Sequence, residues 1–211
     1  MNYWNYVPIQ QNETCDKPTM SQPRHTPRIL GRRFALTATF YKYLDIGISV
    51  RLEPFVEMIL GDNKGNEIPL SRDTWVIMIE KRTDIEQFLQ STTATSLWIN
   101  DLFIEVVKIR NESIIKFTLN NKIMYMKPST VQFLLNLEDV INNAYFKLWD
   151  DMHIVKERYN QFVNCLRRNN IHNKCDAVKL LNEICVKTSL VDCELMVYAS
   201  DNIVYDALQK E

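Results

Sequence analysis

Two stretches of this chain, "IPLSRDTWVIMIEKRTDIEQFL" at 68–89 and "YMKPSTVQFLLNLEDVINNAYFKL" at 125–148, share a pattern that limits the folds open to it. In each stretch, the end of a strand-like run leads through a serine into an amphipathic helix. When the two stretches are aligned at these serines, Trp75 falls on Phe133. Because the pattern rather than the residues repeats, we interpret the chain as an internal duplication of one structural unit.

The first unit, at about 32–90, begins with strand-like segments. "RRFALTATFYKYLDI" alternates in hydrophobicity, and "ISVRLEP" and "FVEMILG" follow it, with Pro54 marking an edge or bend. "GDNKG" has the residues of a hairpin turn and leads to the short strand "EIPL". Ser71 as an N-cap, with Asp73 in the first turn, then predicts one helix that closes the unit.

The second unit, at about 95–149, repeats this order. Its four strand candidates are "SLWI", "LFIEVVKI", "SIIKFTLN" and "KIMYMK". Pro128 ends the last of these strands, and Ser129 with Gln132 predicts a capping box at the start of a long helix.

Strand periodicity ends after residue 150, and the segments over 150–211 have the apolar spacing of helices with polar joints between them. The predicted fold class is therefore α+β: two strand-rich antiparallel units, each a ββββα arrangement, followed by an all-helical C-terminal extension.

Residues 1–31 have a different composition, with four prolines among Gln, Asn, Thr and Ser. This composition predicts a flexible arm. Its exception is "MNYWNYVPI" at 1–9, whose aromatic residues favour docking onto the body of the protein or onto a partner. The basic run "RHTPRILGRR" at 24–33 is a candidate phosphate-binding or nuclear-targeting segment, and a plain disordered linker is the alternative.

Charge is balanced overall and uneven along the chain. There are 25 Lys and Arg against 26 Asp and Glu, which gives a net charge of −1 and no global attraction for nucleic acid. Residues 1–44 carry six basic and two acidic side chains, whereas residues 138–211 carry nine and twelve. The arm is thus basic and the helical extension acidic.

Several function classes lack their characteristic residues. Only four glycines occur, so neither a phosphate-binding glycine loop nor a dinucleotide fingerprint is present, and no nucleophile elbow is found. Five cysteines form no CxxC pair, which favours reduced thiols over disulfides and gives no zinc-ligand spacing. We therefore expect no enzyme, no metal and no other cofactor.

The segment "IPLSRDTWVIMIEKRTDIEQFL", preceded by four antiparallel strands, resembles the positive cofactor four family of transcriptional coactivators. The resemblance implies single-stranded DNA binding by basic and aromatic side chains on curved sheets, in transcription or replication, with a helix-opening tryptophan near that surface. It also implies a dimer formed through the helices, which this chain would reproduce as a single-chain pseudodimer. The second copy has Phe133 in place of the tryptophan, and the first copy has few basic strand residues.

Stacking of unpaired bases on aromatic rings, with Lys and Arg along the phosphates, is a physical basis for such binding. Lys116 and Thr118 share one face of their strand, so that face can be exposed and basic. A buried core position is the alternative for Trp75 and the other aromatic residues, and ordinary solvated charge is the alternative for the cations. The candidate nucleic-acid-binding residues are Trp75, Phe133, Lys108, Arg110, Lys116, Lys122 and Lys127, with Arg24, Arg28, Arg32 and Arg33 in the arm.

The competing hypothesis is a non-enzymatic interaction or assembly module, a homo-oligomer or a docking protein. It would work through the helical C-terminus and the aromatic N-terminus and would bind no nucleic acid. Under both hypotheses we expect no membrane association, because no stretch approaches the roughly 18 to 20 apolar residues that span a bilayer. The polar start of the chain has no signal core, so we expect an intracellular protein, in the nucleus rather than the cytoplasm.

Overall fold

The computed structural model describes residues 26–91, 95–171 and 174–209. It confirms the predicted fold class, because it contains two four-stranded antiparallel sheets, each followed by helices, and then a helical C-terminal region. Arg24 and the aromatic segment at 1–9 lie outside the described residues.

The first sheet has the strand order β1-β2-β3-β4, and two short helices follow it. Its elements are β1 (Arg28–Ala35), β2 (Lys42–Ser49), β3 (Phe55–Asp62), β4 (Glu67–Leu70), α1 (Arg72–Glu80) and α2 (Arg82–Leu89). Since β1 begins at Arg28, the last residues of the predicted arm belong to the first sheet.

The second sheet has the order β5-β6-β7-β8. Its elements are β5 (Ser96–Ile99), β6 (Leu102–Ile109), β7 (Glu112–Leu119), β8 (Lys122–Met126), α3 (Pro128–Asn136) and α4 (Glu138–Arg168). The C-terminal helices are α5 (Lys174–Ile184), α6 (Leu190–Tyr198) and α7 (Ser200–Leu208).

Asp62 organises the predicted hairpin between β3 and β4. Its carboxylate accepts hydrogen bonds from the backbone N–H groups of Lys64 and Asn66, and from the Lys42 ammonium at 2.9 Å. Gly65 takes the left-handed conformation there, with φ of 82°. Burial alone would raise the pKa of Asp62, but the hydrogen bonds from Lys42 and Asn66 outweigh it and lower that pKa to about 2.

The predicted helix N-cap is confirmed at Ser71 and is wrong at Ser129. Ser71 is the N-cap of α1 and its hydroxyl accepts from Thr74 N–H, as predicted. The predicted capping box at Ser129 is wrong: Lys127 is the N-cap, and Pro128 occupies the first turn. Proline fits that position because it needs no donor there, and Gln132 instead donates to Glu86 of α2.

Both predicted unit-closing helices are interrupted. α1 and α2 meet at Lys81, and α3 and α4 meet at Leu137. α4 then runs for 31 residues through the predicted boundary at 149–150, so one helix belongs to both the second unit and the extension.

The two units share one core. α4, from the second unit, packs against β2 and β3 of the first sheet, while α1 contacts β5 and α2 contacts α3. β4 and β8, the edge strands nearest each other, are also in contact. Each sheet therefore buries one face beneath helices.

The C-terminal helices dock on α4 and on the first sheet. α7 packs along α4, and α6 lies against β1. Asp192 of α6 is buried and accepts hydrogen bonds from Arg158 of α4 and from Val186 N–H. The Tyr159 hydroxyl donates to Asp206 at 2.7 Å. Burial, and to a smaller extent this hydrogen bond, raises the pKa of Tyr159.

Over the described residues, every helix is too short or too polar to cross a membrane.

Candidate nucleic-acid interface

The outer face of each sheet follows from strand register. In the first sheet, Leu44, Ile46 and Ile48 of β2 face the helices and are buried. The residues between them therefore point outward, together with their cross-strand partners. This first outer face consists of Arg28, Arg33, Ala35, Tyr43, Asp45, Gly47, Ser49, Phe55, Glu57, Ile59, Gly61, Glu67 and Pro69.

Cations on the first outer face are neutralised by acids. The Arg33 guanidinium donates two hydrogen bonds of 2.7 Å to the Asp45 carboxylate and lies over the Tyr43 ring, 3.7 Å from its centroid. The hydrogen bond with Asp45 raises the pKa of Arg33. Glu57 lies 3.7 Å from Arg28. Two arginines thus face three acids, Asp45, Glu57 and Glu67, and this face offers little attraction for phosphate.

Both sides of the Tyr43 ring are covered by other residues of the protein. The phenol ring lies directly over Gly61 of β3, where a Cβ atom would come within 2.3 Å of a ring carbon. Tyr43 is buried, so neither side of its ring is open to a base. The first outer face therefore lacks a net positive charge and a free Tyr43 ring, and its one exposed ring, Phe55, is covered on one side by Arg51.

The second outer face is arranged in cross-strand rows. The row at one end is Trp98, Phe103, Thr118 and Ile123, and the next row is Ser96, Glu105, Lys116 and Tyr125. Val107 pairs with Ile114 in the following row, and Ile109 with Glu112 at the far end. We call these residues the second outer face.

Aromatic rings are accessible on this face. The Trp98 side chain is 61% exposed and Tyr125 is 46% exposed. The Phe103 ring packs beside Trp98, with centroids 4.7 Å apart and planes tilted by 41°. Three strands, β5, β6 and β8, therefore each contribute an aromatic residue to one solvent-facing surface.

Lys116 lies in the middle of the second outer face, as its strand parity predicted, but it is paired. Its ammonium donates to Glu105 at 2.5 Å, and this hydrogen bond raises the pKa of Lys116. The pair is neutral and lies in the same row as Tyr125, next to the row of Trp98 and Phe103, so the centre of the face is polar.

The other candidate cations lie at the ends of the strands of the second sheet, and we call them the rim. By strand register, Lys108 opposite Ser113 and Lys122 opposite Leu119 alternate with the residues of the outer face. Lys108 and Arg110 flank the β6–β7 turn, Lys122 begins β8, and Lys127 follows its end; all four are exposed. Lys127 has an acidic neighbour, Glu112, at 3.5 Å. Four exposed cations therefore stand at the ends of the sheet that carries the exposed aromatic rings.

Trp75 does not belong to either outer face. Its side chain is fully buried, and its indole N–H donates to the Asn142 carbonyl oxygen on α4 at 3.1 Å. Arg72 donates to the same oxygen at 2.8 Å. Stacking of a base on Trp75 is therefore excluded, and the alternative of a core aromatic that joins α1 to α4 is correct.

Phe133 is exposed, yet it faces the first sheet rather than the second outer face. It lines an apolar groove of about 330 Å³ with Leu36, Ala38 and Phe40 at the β1–β2 turn. Of the predicted arm cations, Arg28, Arg32 and Arg33 lie on β1, away from the rim of the second sheet.

Sequence reasoning missed Trp98 and Phe103, and it weighed Tyr125 as a core residue. The segment "LFIEVVKI" has apolar residues at both odd and even positions, which was the available signal. Leu102, Ile104 and Val106 face inward, while Phe103 and Val107 face outward. Alternation cannot choose between two apolar faces, but such a strand signals an apolar outer surface.

Metal-ligating side chains and cysteine thiols could each supply chemistry. In the ranges that the structure covers, no group of three or more His, Cys, Asp or Glu side chains is arranged to hold a metal ion. Cys165, Cys175, Cys185 and Cys193 are free thiols, and burial raises the pKa of Cys185, which disfavours its reactive thiolate form.

Comparison with known proteins supplies no family assignment. No protein-family model matches the chain, and a search of curated proteins finds no significant relative.

Proposed function

We propose that this protein is non-enzymatic and binds single-stranded nucleic acid on the second outer face. The observation that carries the proposal is the exposure of Trp98 and Tyr125, with the half-buried Phe103 ring beside Trp98, on three strands of one sheet whose ends carry four cations. An unpaired base has two free π faces that can stack on such rings, whereas bases in a duplex are already stacked on each other.

The spacing of the rings supports contacts with more than one base. β5 and β8 are three strand spacings apart, which places Trp98 and Tyr125 roughly 14 Å from each other across the sheet. The Glu105–Lys116 pair lies between them. Bases on the two rings would therefore belong to different nucleotides, with the connecting phosphates directed toward the rim cations.

The resemblance to the positive cofactor four family supports the same class of ligand. The helix-opening segment that resembles this family follows a four-stranded antiparallel sheet here. On that basis we assign the protein to transcription or replication, and to the nucleus, as part of the proposal. The surface differs from the one that the resemblance implied, because Trp75 is buried and the rings come from the second sheet.

An anisotropy titration with a labelled single strand of about 20 nucleotides, and with its duplex, tests the proposal. We expect the single strand to bind more tightly than the duplex. If the four rim cations each neutralise a phosphate, affinity should fall about 50-fold between about 50 and 200 mM salt. Equal affinity for both forms, or no salt dependence, would contradict strand binding on this face.

A second function, protein interaction, is favoured by apolar side chains that α4 and α6 leave exposed. Phe146 and Trp149 on α4 are more than half exposed, and Val197 on α6 is 70% exposed. Such residues are typical of docking surfaces. Light scattering during size-exclusion chromatography tests self-association, which should then depend on Trp149 and Val197 and be independent of Trp98.

A further inference from the structure

A groove of about 480 Å³ lies between β1 and α6, apart from the second outer face. Its lining residues are Pro27, Arg28, Gly31, Arg32, Arg33, Asp45, Ile46 and Tyr198. Three arginines and one aspartate give this lining a formal charge of +2. The volume falls within the range of about 300 to 1,000 Å³ that is usual for small-molecule sites.

A β-bulge in β1 gives the groove its shape. The pairing of β1 with β2 shifts register between Ile29 and Arg32, and Leu30 has a φ of 53°. The Leu30 N–H donates to the Glu194 carboxylate of α6 at 2.6 Å. The bulge redirects the following side chains, and the bond to Glu194 fixes α6 and Tyr198 beside them.

Two guanidinium groups in the groove have unused hydrogen-bonding capacity. The Arg32 side chain is exposed and makes no hydrogen bond or ion pair within the described part of the chain. Arg28 lies 3.9 Å from Asp45 and 3.7 Å from Glu57, distances too long for hydrogen bonds. Its Nη1 is buried without an acceptor among the described residues, although an acceptor is normally found for such an atom.

Tyr198 supplies an aromatic ring at the same place. It is the last residue of α6 and its side chain is 59% exposed, although the residue lines the groove. Arg33 is already saturated by the bidentate bond to Asp45. Among the described residues, the groove thus offers the unpaired Arg32 guanidinium, the unsatisfied Nη1 of Arg28 and the Tyr198 ring.

We propose that this groove binds a nucleotide with a terminal phosphate, which Arg28 and Arg32 hold while the base stacks on Tyr198. Guanidinium groups match phosphate oxygens in geometry and charge, and a terminal phosphate carries more charge than an internal phosphodiester. The ligand is either a free nucleotide or the phosphorylated end of a strand. The second source rests on the strand-binding function proposed above.

The test compares the full chain's affinity for 5′-phosphorylated and 5′-hydroxyl forms of one oligonucleotide, and measures AMP binding by calorimetry. We expect AMP to bind and the phosphorylated strand to be preferred about tenfold, the scale of one added charge-assisted contact. Arg32→Gln should abolish that preference and weaken AMP binding. Arg168→Gln, which removes an exposed arginine outside the groove lining, is the matched control and should change neither.

The outcomes separate this proposal from strand binding on the second outer face. Trp98→Ala should weaken both oligonucleotides equally and keep the preference. AMP binding that depends on Arg32, without binding of either oligonucleotide, would support a free nucleotide as the ligand of the groove. The same result would contradict strand binding on the second outer face. Oligonucleotide binding without preference, together with no AMP binding, would overturn the groove proposal. Phosphoserine that competes as well as AMP would overturn its assignment to a nucleotide.

Discussion

The two sheets of this protein have the same strand order and opposite surfaces. The first outer face pairs its arginines with acids and packs the Tyr43 ring on Gly61. The second outer face leaves Trp98 and Tyr125 exposed and has its cations at the rim. The same topology therefore carries two surfaces of different chemistry. Ligand binding by such a sheet depends on its side chains rather than on its fold.

The largest expected effect is the difference in the free energy of unfolding between variants of Trp75 and Trp98. Trp75→Ala should lower the free energy of unfolding by about 3 to 5 kcal/mol, because a fully buried ring and its bond to Asn142 are lost. Trp98→Ala should cost about 1 kcal/mol or less, since that ring is mostly exposed. Urea unfolding of the two variants measures both values. Equal losses would mean that Trp98 is also a core residue.

The next effect concerns binding. Trp98→Ala and Tyr125→Ala should each reduce affinity for a single strand by about 10- to 100-fold, as expected for the loss of one stacked base. Phe55→Ala, which removes a partly exposed ring from the first outer face, is the matched control and should leave affinity unchanged. A loss at Phe55 as large as that at Trp98 would place the strand on the first sheet.

The hairpins of the two sheets should respond differently to acid. The carboxylate of Asp62 holds the turn after β3, whereas Asn120, with φ of 53°, lies at the turn after β7. Because the pKa of Asp62 is lowered to about 2, its contribution is complete above the ordinary carboxyl pKa and is lost as pH falls through about 2. Asp62→Asn should therefore cost about 2 kcal/mol at neutral pH.

Unfolding free energies of the wild type and Asp62→Asn, measured from pH 7 down to about pH 2, check this expectation. The difference between them should shrink toward zero as Asp62 takes up its proton. An Asn120→Ala variant serves as the control in the second sheet, and its difference from the wild type should not vary with pH. A constant difference for Asp62→Asn would show that the carboxylate charge does not stabilise the turn.

The smallest expected effect would make the two outer faces more alike. Asp45→Asn removes the acid that neutralises Arg33 and lies near Arg28, so the first outer face should gain weak attraction for phosphate. Because Arg33 is half exposed and screened by solvent, we expect at most about a fivefold gain in single-strand affinity at low salt. The gain should disappear at high salt. Weaker binding would show that Asp45 contributes to the site rather than masking it.

In the first sheet, the predicted strand segment "RRFALTATFYKYLDI" contains the turn between β1 and β2. Local sequence signals were sufficient for the strands of the second sheet, the hairpin at Gly65 and the cap at Ser71. These features depend on alternation and turn residues within a few positions. The helix breaks at Lys81 and Leu137 were not predicted, because apolar periodicity continues across both and the breaks accompany packing between the two units. The Arg33–Asp45 pair could not be predicted from the sequence either, because it depends on the bulge in β1 and on the register of β1 on β2.

The candidate site was only half predictable for a related reason. The outward orientation of Lys116 followed from strand parity alone. The exposed rings did not, because β6 is apolar on both faces and the sequence cannot show which one the helices cover. Trp75 had the spacing of a core helix position, and its burial confirms that alternative.

Photo-crosslinking of a bromodeoxyuridine-substituted single strand, followed by peptide mapping, tests the central claim most directly. The account predicts crosslinks on the second outer face, at Trp98, Phe103 or Tyr125, with strand-end crosslinks at Tyr198 if the groove is also occupied. Crosslinks concentrated at Tyr43 or Phe55 on the first outer face would contradict it.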